Sequence, residues 1–150
     1  MKRRLPSTLA GRMGEAYRIG LSAGVGTAIG IVTAGLVGRL PRGAAGAAVL
    51  SAVLAGVLAW LVFGWAAAVA GVIGGALGGA GATTLVRGSL RRGGTPGGTA
   101  VIFGLFGVAA FLFALVPLVG YLEAIALPVV AARARRRAGE KYAGLRSLAD

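Results

Sequence analysis

All charged side chains but Glu123 fall along this chain in four groups, at 1–18, 39–42, 87–92 and 133–150, and uncharged stretches run between them at 19–38, 43–86 and 93–122. Each stretch reaches or exceeds the roughly 20 apolar residues that an α-helix needs to cross a bilayer. The second stretch is 44 residues long. At about 1.5 Å per residue, one helix of that length would be about twice as long as the hydrocarbon layer is thick, so two helices are expected, at 44–62 and 66–86. Trp60, Phe63, Gly64 and Trp65 make the expected turn between them, since amphipathic rings collect at the membrane–water boundary and glycine permits tight reversal.

Residues 93–98 (Gly-Gly-Thr-Pro-Gly-Gly) predict a loop, because proline and paired glycines punctuate regular structure. A helix at 99–116 follows, carrying Phe103, Phe106, Phe111 and Phe113. Pro117 and Gly120 then break or kink the chain before a last segment at 118–137, shorter in apolar length and ended by Arg133, Arg135, Arg136 and Arg137. At the other terminus, Leu5, Leu9, Met13, Ala16 and Tyr17 share one side of a helix, with Arg4, Arg12, Glu15 and Arg18 on the other. This pattern suits either a helix lying in the membrane interface or an extension of the first membrane helix, starting at Ser7 after Pro6. Residues 19–38 are long for the apolar core of a secretory signal and end in no Ala-x-Ala site, so the segment is expected to be retained.

The pattern thus predicts an all-α membrane protein of about five hydrophobic helical segments: four spans plus a first segment, 19–38, that either spans or re-enters. Residues 1–18 form a basic amphipathic segment, 19–137 a transmembrane helical domain and 138–150 a cytoplasmic tail. The two alternatives for 19–38 differ in topology. With five full spans, the basic groups at 39–42, 87–92 and the C-terminal end are all cytoplasmic only if the basic N-terminus lies outside. With a re-entrant first segment, every basic group is cytoplasmic, as the preference of Lys and Arg for the inner side favours.

Glycine changes the picture of how these segments meet. In water each mid-helix glycine costs about 1 kcal/mol relative to alanine, but in lipid an unpaired amide costs more, so the helix forms and the glycines become packing surface. Gly71, Gly75 and Gly79 share one face, Gly74 and Gly78 with Ala82 another, and Gly20 with Gly24 and Gly26 with Gly30 repeat the spacing of four in the first segment. Such faces serve packing within the chain or contact with a second copy. Residues 33–40 and 83–90 both carry a glycine-rich helix into a short basic loop, a likeness that duplication or low complexity would each produce.

Composition and charge narrow the chemistry. The chain is 57% hydrophobic and 13% charged, against about a quarter charged in soluble domains. The net charge of +12 would suit nucleic acid, yet the basic residues flank apolar runs, the placement that anionic lipid headgroups favour. There is no Cys, His, Asn or Gln, which removes disulfides, thiolate and imidazole metal sites, haem histidines and Ser-His-Asp triads within the chain. Lys2 and Lys141 are the only lysines. The Gly-x-Gly runs lack the strand–turn–helix context of a dinucleotide site. No enzyme activity, cofactor or metal is expected.

Three features remain as candidates. Glu123 is the one acid inside an apolar segment, a costly placement that often marks an ion path; the bland alternative is an interfacial residue reaching headgroups. Thr83 and Thr84 either bond to helical carbonyls or line such a path. Arg87, Arg91 and Arg92 beside the 93–98 loop can hold a lipid phosphate, or simply orient the chain against anionic lipid.

Residues 16–24, the run 75–92 and the tail 135–148 with Lys141, Tyr142, Gly144 and Arg146 resemble small glycine-rich integral membrane proteins of high-GC bacteria, a domain-of-unknown-function class. That class carries paired acids near its penultimate helix, where residues 99–106 here carry none. The resemblance implies a multi-helix inner-membrane protein and no particular activity. Taken together, the expected role is a non-enzymatic helix-packing or assembly subunit of a bacterial or archaeal cytoplasmic membrane, with its C-terminus inside and with a homo-oligomer or larger complex as partner. The alternatives are a small channel or transporter using Glu123 and a holin-like pore former.

Overall fold

The computed structural model describes residues 7–116 and 119–146, and these form five helices and no strand: α1 (Ser7–Val37), α2 (Gly43–Phe63), α3 (Trp65–Arg91), α4 (Pro96–Ala114) and α5 (Val119–Arg146). The helices are those the charge pattern outlines, with corrected ends. α3 continues five residues past the expected stop at 86, so Arg87 and Arg91 are helical rather than in a loop. α4 begins at Pro96, which suits the first helical position because it has no N–H to lose, and the Thr95 hydroxyl accepts from the Gly98 amide at 3.2 Å. Between α2 and α3 the turn is a single residue, Gly64, at φ 89°, a left-handed conformation that glycine adopts without strain.

α1 is one continuous helix of 31 residues. The amphipathic N-terminal pattern is therefore its extension, with no break near 18, and the described helix begins at Ser7. The re-entrant alternative for 19–38 is also replaced, because α1 and α3 run parallel along their full contact. Ala23 meets Gly74, Thr27 meets Gly78, and Gly38 meets Val86. α2 runs the other way against α3, through Ala55 on Gly71, Ser51 on Gly75 and Ala47 on Gly79. α4 is antiparallel to α1, with Gly107 on Ala28 and Val32 and Phe103 on Gly35.

α1, α2, α3 and α4 are each long and apolar enough to cross a membrane. The segment that departs from a full span is the last one. The apolar part of α5, residues 119–132, would cover only about 21 Å at 1.5 Å per residue, short of the roughly 30 Å hydrocarbon layer. Pro117 lies outside the described residues, and Gly120, expected to help break the chain there, is instead helical and packs on Gly20.

Packing follows side-chain size. The glycines of α3 separate into two faces, Gly71, Gly75 and Gly79 toward α2 and Gly74 and Gly78 toward α1. A Cβ on Gly75 would lie 2.5 Å from the Ser51 carbonyl oxygen, and one on Gly78 would lie 2.7 Å from that of Thr27. Only glycine lets these backbones approach so closely. The buried hydroxyls add cross-links: Ser51 Oγ lies 2.5 Å from the Ala47 carbonyl and 2.6 Å from that of Gly75, and Thr27 Oγ1 lies 3.0 Å from the Ala23 carbonyl and 3.4 Å from that of Gly74. The large residues, Val53, Leu54, Val57 and Leu61 on α2 and Leu105, Phe106, Leu112 and Phe113 on α4, point outward.

Candidate functional site

The parallel run of α1, α3 and α5 collects the charges at the two ends of the bundle. One end holds Arg12, Glu15 and Arg18 beside the Phe63–Trp65 turn, where Glu15, Arg18, Phe63 and Trp65 line one hollow. The other end holds Arg39, Arg87 and Arg91, which line a second. The arginine-bearing part of α5 reaches the same end, since Arg135 donates to Thr84 Oγ1 at 2.8 Å.

Glu123 is set between these ends, in the seam of α1 with α5. Gly20 and Gly24 clear this seam: Gly120 packs on the Gly20 backbone, and a Cβ on Gly24 would lie 2.6 Å from Ala114 Cβ, 2.7 Å from Gly120 Cα and 3.1 Å from Glu123 Oε2. Two tyrosines tie the seam from opposite sides. Tyr17 donates to the Leu115 carbonyl at 3.0 Å, and Tyr121 donates to the Ala16 carbonyl at 2.6 Å. Glu123 itself is half-buried, and its Oε2 is shut off from solvent without a hydrogen-bond partner. A carboxylate oxygen without a donor is an open acceptor, fit for a proton or a small cation.

The seam sits well in from the rim. Gly24 is six residues past Arg18, about 9 Å along α1, and its neighbour Ala23 packs on Gly74, nine residues past Trp65, about 13 Å along α3.

The threonines expected to share a path with Glu123 do not join it. Thr83 is buried and donates to the Gly79 carbonyl at 2.7 Å within its own helix. Thr84 accepts from Arg135, twelve residues or about 18 Å beyond Glu123 on α5. A polar side chain that can close a bond to its own helix does so wherever no second polar surface faces it. The seam's other members, Gly120, Ala114, Tyr17 and Tyr121, were not among the expected site residues; the signs of them were the nearness of Gly120 and Tyr121 to Glu123 and the spacing of Gly20 and Gly24.

The arginine group also changes membership. Arg87 reaches from α3 to the turn after α1: its Nε donates to the Gly38 carbonyl at 3.2 Å and its Nη2 to those of Leu40 and Pro41 at 3.0 and 3.1 Å. A guanidinium there ties down the turn, in which the Leu40 carbonyl also accepts from the Gly43 amide at 2.9 Å. Arg92 instead folds toward Gly88, and Arg39, from the 39–42 loop, takes its place beside Arg87 and Arg91. The helix-packing glycines Gly20, Gly24, Gly26, Gly30, Gly71, Gly74, Gly75, Gly78 and Gly79 are all filled against residues of this same chain. Compared with known proteins, the chain matches no family model, no curated protein and no solved structure.

Proposed function

We propose that the chain is a non-enzymatic polytopic protein of a bacterial cytoplasmic membrane that binds and passes a proton or small cation at Glu123, as a small transporter or channel. The observation that carries this reading is the Glu123 Oε2 atom, shut off from solvent and without a donor in the α1–α5 seam. An intramembrane carboxylate is expensive to keep, and retention is best accounted for by use. The arginine-rich end is assigned to the cytoplasm by the preference of basic residues for that side, which puts the start of α1 outside, and the bacterial source rests on the resemblance to small membrane proteins of high-GC bacteria.

The test is ion flux into liposomes that contain the full-length chain, read with pH- and cation-sensitive dyes. Glu123→Gln is expected to lower flux at least tenfold while the protein stays monodisperse in detergent. Absence of wild-type flux at any pH overturns the transport reading. Controlled expression that causes lysis or loss of membrane potential favours the holin-like alternative.

A second reading, an assembly subunit, has its own support in the outward apolar faces of α2 and α4. Contact with a copy or a larger complex would use those faces, because the glycine faces are occupied inside the chain. Cross-linking in lipid from Val57 and Leu112 tests it.

A further inference from the structure

At the arginine-rich end a hollow of about 360 Å³ is lined by Arg39, Leu40, Pro41, Arg87, Leu90 and Arg91, a size within the range of small-molecule sites, about 300–1,000 Å³. Three arginines line it from two elements, Arg39 from the turn after α1 and Arg87 and Arg91 from the last turns of α3. The carboxylates whose side chains are described lie elsewhere, Glu15 in the hollow at the opposite end and Glu123 beside Gly24.

Arg87 is held in place rather than free to swing. Three of its five N–H groups are committed to the Gly38, Leu40 and Pro41 carbonyls, which leaves the two on Nη1. It is therefore a positioned post, and Arg39 and Arg91, both exposed, line the same hollow with it. Repulsion among three like charges around one hollow is relieved by an anion, and guanidinium pairs bidentately with phosphate oxygens. The surroundings are amphipathic. Leu40 and Leu90 line the same hollow, and Leu36, one turn before Leu40, is exposed on α1.

We propose that this hollow binds a phosphate group, with Arg39 and Arg91 pairing to its oxygens beside the fixed Arg87 guanidinium. Its two sources are the headgroup of an anionic phospholipid, whose chains would run along Leu36 and Leu40, and free phosphate. The site is independent of Glu123 and stands whether or not the chain moves ions.

Native mass spectrometry of the full-length chain in neutral detergent tests it, with phosphatidylglycerol, phosphatidylcholine and inorganic phosphate as probes. Phosphatidylglycerol is expected to be retained well beyond phosphatidylcholine. The R39Q/R91Q double variant is expected to hold it on the order of thirty-fold more weakly, at about 1 kcal/mol per arginine. The exposed-arginine control R92Q/R136Q is expected to bind as the wild type does. If inorganic phosphate in excess displaces the lipid and binds alone with the same dependence on Arg39 and Arg91, the site is a phosphate site that the lipid merely enters. Failure to displace assigns it to the lipid. Equal retention of the two lipids with no phosphate bound overturns the proposal, as does a loss in R39Q/R91Q no greater than in R92Q/R136Q. Elution volume and helical content of each variant separate loss of binding from loss of fold.

Discussion

α1 and α4 are both long enough to cross a membrane, yet the most apolar stretch of α1 is 67% buried within the bundle and that of α4 only 22%. The more buried helix is the poorer in large side chains. α1 meets its neighbours through Gly20, Gly24, Gly26, Gly30 and Gly35, whereas α4 carries Leu105, Phe106, Phe111, Leu112 and Phe113 outward. In water that arrangement would be inverted. In lipid a leucine gains nothing by leaving a surrounding as apolar as itself, so helices associate where small residues let backbones touch and where hydroxyls bond across. Burial in this bundle therefore follows the absence of side chains.

The strongest way to break the comparison is to give a buried glycine a side chain. Gly78→Ala would set a Cβ 2.7–2.8 Å from Thr27 backbone atoms, which cannot move aside without parting α1 from α3. A loss of about 1–3 kcal/mol, or more for Gly78→Leu, is expected from overpacking. Gly46→Ala on α2, where nothing lies within 4 Å, should be neutral or slightly stabilising. Thermal unfolding in detergent followed by size exclusion reads both. Equal effects would mean that the glycines of α3 are not what holds the helices together.

That contrast also marks how much the chain's pattern disclosed. The helices and their order follow from charge spacing, and the two faces of α3 follow from glycines four apart, because both are periodic properties of one segment. What was not legible depends on how segments lie against one another. Whether 19–38 re-enters or spans turns on α1 running parallel to α3, which puts Arg18, one of the basic residues that made re-entry attractive, at the opposite end from Arg39 and Arg87. Glu123 stood out as an acid among apolar residues, but its neighbours Gly24 and Ala114 come from helices about a hundred and about ten residues away. Arg39 was missed as a partner of Arg91 because the turn after α1 and the end of α3 meet only in the folded bundle.

Smaller effects sharpen the comparison at its polar contacts. Arg87→Ala would take the guanidinium from the carbonyls of Gly38, Leu40 and Pro41, of which Leu40 keeps the Gly43 amide, with an expected loss of about 1–2 kcal/mol, since bonds from a charged donor exceed neutral ones. Ser51→Ala removes the one hydroxyl placed between α2 and α3. Its expected cost is about 0.6 kcal/mol and at most about 1.7, the range for interhelical bonds in membranes. Urea or detergent titration of the purified chain ranks the two, and Ser51→Ala exceeding Arg87→Ala would shift the weight of the fold from the bundle end to its middle.

The smallest expected effect is the most discriminating for function. Leu112→Ala on α4 and Val57→Ala on α2 shorten exposed side chains. A helix separated from the bundle keeps these residues in lipid just as the folded bundle does, so no transfer energy divides the two states and stability should stay within about 0.5 kcal/mol. A partner on either face would change this, because a leucine packed against another protein loses van der Waals contacts when it is shortened, while one against fluid acyl chains does not. Sedimentation of both variants in lipid nanodiscs distinguishes the cases. Unchanged mass leaves lipid as the neighbour of α2 and α4, whereas a lower mass with the same unfolding temperature would identify these faces as an interface and favour the assembly role over transport.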